Sequence, residues 1–172
     1  VYEVSREKRD ELEAIGAAVS ADRGFTPSQQ AALSDALRQR FADYGLQTAN
    51  GARAEAVQSA LRMIVEGSFE EQPAARIAEV AFAAYRAVSR GAPAEVVEGI
   101  GLYGYQKQVP ADRLEAWANG YAQLTSNHVP PEVAADLVHA AMERDWSDSA
   151  FNTLKWSLVQ ASKERFDIRA FA

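Results

Sequence analysis

Every proline in this 172-residue chain stands where a helix would begin, and that placement narrows the possible folds more than any other feature. Proline lacks the amide hydrogen a helix interior needs and clashes with the preceding turn, yet costs nothing in the first turn. Pro27, Pro73, Pro93, Pro110, Pro130 and Pro131 each introduce a run with apolar residues at helical spacing. Gly24, Gly45, Gly67 and Gly91 fall where such runs stop, the place where a left-handed residue closes a helix. No stretch alternates apolar and polar residues over a useful strand length. Alanine supplies about a fifth of the chain and β-branched residues are thin, a balance that favours helix. The expected fold is therefore all-α: about eight helices in antiparallel hairpins, forming a helical-repeat-like bundle or a short right-handed array. A single helical domain is expected over residues 1–172, with residues 1–50 as an N-terminal hairpin.

Taken in order, Ser5 caps a helix expected to reach Ala21, with Leu12, Ile15 and Val19 as its apolar stripe. Thr26-Pro27-Ser28-Gln29 spells a capping box, in which threonine and glutamine satisfy each other's backbone amides. Leu33, Leu37, Phe41 and Tyr44 then share one face. A helix is expected from Ala52 to Glu66, with Val57, Leu61, Ile64 and Val65 inward and Gly67 as its stop. Others follow from Pro73 to Gly91, from Pro93 or Ala94 to Gln108, and after Pro110, Pro130 and Ser147, the last with Phe151, Leu154, Leu158 and Val159 inward. The tail from Phe166 to Ala172 carries two phenylalanines and is expected to dock.

Three helix starts resemble one another. Gly51-Ala-Arg-Ala-Glu-Ala-Val57 matches Gly91-Ala-Pro-Ala-Glu-Val-Val97 at an offset of forty, and Glu95 matches Glu132 at thirty-seven. Residues 51–172 thus read as three repeat-like hairpins of about 37–40 residues, the signature of stacked helix pairs.

Composition removes several function classes. The net charge is −6 and no basic stripe is present, which argues against nucleic acid and against an anionic membrane surface. No apolar run approaches the ~20 residues a spanning helix needs. Without cysteine there is no disulfide, thiol catalysis or thiolate metal site. His128 lies in a turn, and Asp136 with His139 forms only half of a di-metal carboxylate motif, so no metal or cofactor is expected. Gly99-x-Gly101-x-x-Gly104 spells a dinucleotide-like string but follows no strand, so its physical basis is missing. Glu70 and Glu71 are a solvated loop pair, and no catalytic residue is assigned.

The informative stretch is Gly91–Pro110. Three interior glycines cost its helix roughly 3 kcal/mol relative to alanine, at ~1 kcal/mol each. Val96, Val97, Ile100, Gly101, Tyr103, Gly104 and Tyr105 fill one apolar arc, with Glu95, Glu98 and Gln106 on the remainder. Within the arc Gly101 and Gly104 sit together between Tyr103 and Tyr105, a hollow with aromatic walls. At the forty-residue offset these glycines replace Leu61 and Ile64, as though bulk had been removed from one copy only. A neighbouring helix pressed into the hollow is one reading. The other is an apolar pocket lined by Phe82, Tyr85, Val97, Gly101, Tyr103, Gly104, Tyr105, Trp117 and Tyr121.

The leading functional expectation is a non-catalytic binding protein carrying a lipid- or sterol-like molecule between helices, in lipid transport at a bacterial envelope. The alternative is a helical-repeat scaffold for a protein partner; an enzyme whose acids meet only in three dimensions is the third class. The chain starts at Val1 without methionine, so a processed product is expected, with any signal peptide or lipid anchor already removed and a periplasmic or envelope location favoured over the cytoplasm.

Overall fold

In the computed structural model of the protein, residues 26–43 and 54–164 are described. The expected helix from Ser5 to Ala21, the stops at Gly24 and Gly45, and the docking tail lie outside them. Among the described residues the chain is entirely helical: α1 (Pro27–Asp43), α2 (Ala54–Phe69), α3 (Ala74–Ser89), α4 (Ala94–Lys107), α5 (Ala111–Ser126), α6 (Pro131–Glu143) and α7 (Asp148–Lys163).

Helix starts follow the sequence signals closely. Gln29 donates its amide to Thr26 Oγ1 at 3.3 Å, and its side-chain oxygen accepts the Thr26 amide at 2.8 Å, completing the capping box of α1. Pro73, Pro93 and Pro130 are the N-cap residues of α3, α4 and α6, while Ser147 caps α7 by accepting the Ala150 amide at 3.2 Å.

The helix ends carry a rule that the glycines only hinted at. Glu71, Gly91, Gln108, His128 and Asp145 all have positive φ, and each stands two residues before the cap position of the next helix. The residue between bonds back across the turn in every case: Gln72 to Gly67, Ala92 to Ala87, Val109 to Gly104, Val129 to Leu124 and Trp146 to Ala141, at 2.9–3.1 Å. This 6→1 bond is the Schellman closure, which satisfies a carbonyl the helix would otherwise leave open. Glu71, Gln108 and Asp145 are 37 residues apart, as are Gly91 and His128. The turns therefore recur every 37 residues, those after α2, α4 and α6 in one series and those after α3 and α5 in the other, which sets α3, α5 and α7 in one register class and α2, α4 and α6 in the other. The forty-residue match of Gly51 to Gly91 is three residues out of this register.

Gly67 does not stop α2, which continues through it to Phe69; the turn closes at Glu71 instead. Within α2, Met63 is fully buried while Leu61 is only half-buried, the reverse of the weight given to them from spacing. In α7, Phe151 and Val159 are buried, whereas Leu154 is exposed.

Packing divides the chain into two compact units, residues 1–115 and 116–172, with the division inside α5. In the first unit α3 packs against α1, α2 and α4, and α2 also packs against α4. Its core is built by Leu33, Leu37, Met63, Ile64, Ile77 and Val80 among others. In the second unit Trp117, Leu124, Val138, Phe151 and Val159 are buried.

Candidate functional site

The glycines of α4 are places where another part of the chain comes too close for a side chain. A Cβ on Gly101 would fall onto Met63 Sδ, and one on Gly104 onto a Leu114 methyl. The recess foreseen from the sequence is thus occupied by two apolar side chains of the protein itself. Gly99 is different: nothing lies within 4 Å of where its Cβ would stand. At the 37-residue spacing of the turns, Gly104 stands at the register of Gly67 and Ala141, so this position is small in α2, α4 and α6 alike. Gly101 stands at the register of Ile64 and Val138, so of the two glycines in the recess it alone lacks bulk that the other two helices carry.

Tyr105 completes the arrangement. Its ring packs on Gly67, where a Cβ would meet the hydroxyl at 2.7 Å, and that hydroxyl donates to the Met63 carbonyl at 2.7 Å. Burial pushes the phenol well above its ordinary value of 10; Arg76 opposes this and Glu66 adds to it. Polar ties surround this packing. Glu98 accepts the Ser59 hydroxyl at 3.1 Å and pairs with Arg62 at 3.1 Å. Arg76 donates to the carbonyls of Gly104 and Val109 at the end of α4, where a cation also complements the helix dipole. Gln108 donates to the Tyr105 carbonyl at 2.8 Å and to Gln72 at 3.1 Å.

Of the foreseen lining, Gly101 and Gly104 face filled space, taken up by Met63 and Leu114. Val97, Gly101, Gly104 and Tyr105 are buried in the first unit, Tyr103 is half-buried, and Tyr85 is buried on α3. Phe82 instead lines a surface cleft of about 310 Å³ with Glu79, Arg86, Pro110 and Asp112, the Arg86 guanidinium lying 5.6 Å from its ring centroid. Trp117 and Tyr121 belong to the second unit and are buried there.

That cleft lies along a contact between two helices of the same repeat class. Glu115, near the start of α5, accepts a hydrogen bond from Arg90 Nη1 at the end of α3 at 2.6 Å and forms an ion pair with Arg86 of α3, whose Nε lies 3.1 Å away. One period later the contact recurs with new chemistry. Gln123 stands at the register of Arg86 and Asn152 at that of Glu115, and the Lys155 ammonium bridges them at 2.6 and 2.8 Å. Phe151 packs on Gly120, where a Cβ would meet the ring at 2.5 Å. Lys155 occupies a register that holds alanine in both earlier copies, Ala81 and Ala118, and it is itself buried. Desolvation lowers its pKa, while Trp156 offers a π face 5.1 Å from the ammonium.

Three residues that matter here escaped the sequence reading. Met63 and Leu114 fill the recess, and no spacing rule marks a filler lying on another helix. Lys155 would have stood out against Ala81 and Ala118, but only in the 37-residue register.

Among the described residues no group of three or more His, Asp or Glu side chains is placed to hold a metal ion, and no helix is long and apolar enough to cross a membrane. Comparison with protein-family models, with curated proteins and with solved structures finds no match for this chain.

Proposed function

We propose that the chain is a non-catalytic helical-repeat binding protein whose ligand is another protein. The observation that carries this reading is the filling of the α4 recess: Met63 and Leu114 occupy the space an apolar guest would need. What the repeats leave available is surface, and stacked helix pairs bind partners through their surfaces. Among the described residues, Tyr105 and Lys155, the two groups whose pKa burial clearly shifts, both spend their polar atoms on internal bonds, which supports a role without catalysis. The test is affinity purification of the tagged full chain from its native host after mild cross-linking, followed by reconstitution of any recovered complex from purified components. A protein that rebinds stoichiometrically supports the reading; failure of every candidate to rebind overturns it.

The apolar-carrier reading keeps one observation in its favour. The side chain in the Gly101 recess is methionine, which has three rotatable bonds and can leave without backbone movement. Under this reading the chain carries a lipid- or sterol-like molecule at a bacterial envelope, and organic extraction of the purified protein recovers a bound lipid that Gly101→Leu abolishes. An extract free of lipid, with no apolar compound shifting the melting temperature, removes it.

A further inference from the structure

The helix-on-helix contact made twice in this chain points to a third. In the first unit the face of α3 carrying Phe82, Ala83, Arg86 and Arg90 receives the first turns of α5, with Glu115 held between the two arginines. In the second unit the equivalent face of α5 receives α7, with Lys155 bridging Gln123 and Asn152. The same face of α7 carries Trp156, Ser157, Gln160 and Glu164, and these line an open groove. Its core-ward neighbours are exposed too. Leu154 is 40% accessible, whereas Val80 and Trp117 at the same register are each 1% accessible. Ser157 is exposed where Ala83 and Gly120 are buried. Trp156, at the register of Phe82, is 52% accessible.

We infer that this face of α7 docks an amphipathic helix of a partner protein, seated by its first turns on Trp156 and Ser157 and bearing a basic residue opposite Glu164. The occupant's geometry comes from continuity with the two contacts already made. Its charge comes from two changes in the lining. Arg90 becomes Glu164, and Arg86 becomes Gln160, which already donates to Glu164 at 2.7 Å. An acid at the Glu115 register would meet a carboxylate there, so the incoming helix reverses that charge. This inference rests on the protein-partner reading and names the surface and the partner's chemistry.

The probe is a side-chain-stapled helical peptide with the sequence of Pro110–Tyr121, in which the residue matching Glu115 is either glutamate or lysine. Fluorescence anisotropy against the full chain is expected to show saturable binding, tighter for the lysine peptide by up to about fivefold, the range of an exposed ion pair. Glu164→Lys in the chain should invert that preference, which a merely misfolded variant would not do. Trp156→Ala should weaken both peptides at least tenfold, the usual effect of losing a central aromatic anchor. Absence of saturable binding, or equal affinity for both peptides in the wild type and in Glu164→Lys, overturns the proposal. So do two other results. Binding that tightens when Phe166 and Phe171 are changed to serine would identify the chain's own residues 165–172 as the occupant. A dimer in sedimentation that Trp156→Ala dissociates would identify a second copy. If the peptide fails yet a reconstituted complex survives Trp156→Ala, the protein-partner reading stands and only this surface is wrong.

Discussion

Replacing single glycines of α4 by alanine separates a glycine that makes room from one that does not. Alanine is favoured over glycine inside a helix by ~1 kcal/mol, whatever surrounds it. At Gly99 nothing stands within 4 Å of the new methyl, so Gly99→Ala should keep that whole gain. At Gly104 the methyl would overlap Leu114, with a second methyl at 2.8 Å and Cγ at 3.1 Å, so no leucine rotation about its end clears it. Leu114 is buried, and Arg76 fixes the carbonyl of Gly104 in place, so neither side yields cheaply. Overpacking of this kind costs ~1–3 kcal/mol, which outweighs the helix gain and leaves Gly104→Ala destabilised by up to ~2 kcal/mol. For a chain of this size 1 kcal/mol moves the melting temperature by ~2–4 °C. Thermal unfolding followed by circular dichroism should therefore place Gly99→Ala ~2–4 °C above the wild type and Gly104→Ala clearly below it. If both variants rise together, the space beside Gly104 is empty and the account of a filled recess is wrong.

Other consequences follow from individual contacts. Tyr105→Phe removes a buried hydroxyl that donates to the Met63 carbonyl, and should cost ~1 kcal/mol in urea unfolding at neutral pH. The folded state holds the Tyr105 proton more tightly than the unfolded chain, so that part of its stability is complete below pH 10 and is lost as pH rises beyond it. The wild type should consequently lose more stability than Tyr105→Phe between neutral pH and pH 11, and parallel curves would refute the burial argument. Glu115→Gln should lower stability by ~1 kcal/mol or less at low salt, with the deficit shrinking as salt is added, because Arg90 is largely exposed while Arg86 and Glu115 are partly covered. His128→Gly should raise stability by ~0.5–1 kcal/mol, since φ is +65° there and glycine adopts that conformation without steric cost; a loss would mean the imidazole makes a contact that matters.

The helices were legible because their starts are written in residues with few other uses. A capping box, prolines at caps and a serine before α7 each mark a start by local chemistry, and all of them lie where helices begin. Helix ends were legible only where glycine marks them, as at Gly91. Glu71, Gln108 and Asp145 take the same left-handed conformation at a cost their turns can carry, and nothing in their chemistry announces it. That is why the forty-residue match of Gly51 to Gly91 lies three residues out of the turn register, and why Gly104 stands out in the sequence although Gly67 and Ala141 share its register. Glycine usually marks a helix stop, but Gly67 lies inside α2 and its partner, the Tyr105 ring, comes from 38 residues further on. The same limit applies to the recess. An arc of glycines and tyrosines shows that a helix has room beside it, but the occupant comes from another helix, chosen by packing that no local pattern encodes.

The most direct test of that occupant uses the absence of cysteine from the sequence, which makes an engineered pair free of competing thiols. Met63 Cγ lies 3.5 Å from where a Gly101 Cβ would stand, and a disulfide places sulfur about 3 Å from its partner's Cβ, so cysteines at 63 and 101 are nearly in bonding position. Oxidation of Met63→Cys/Gly101→Cys, with Met63→Cys/Gly99→Cys as the control, should close a disulfide rapidly and completely in the first pair and leave the second reduced, read as free thiol by mass spectrometry. Free thiols persisting at 63 and 101 under the same oxidant would contradict the filled recess, and with it the reason for seeking this protein's partner on its surface.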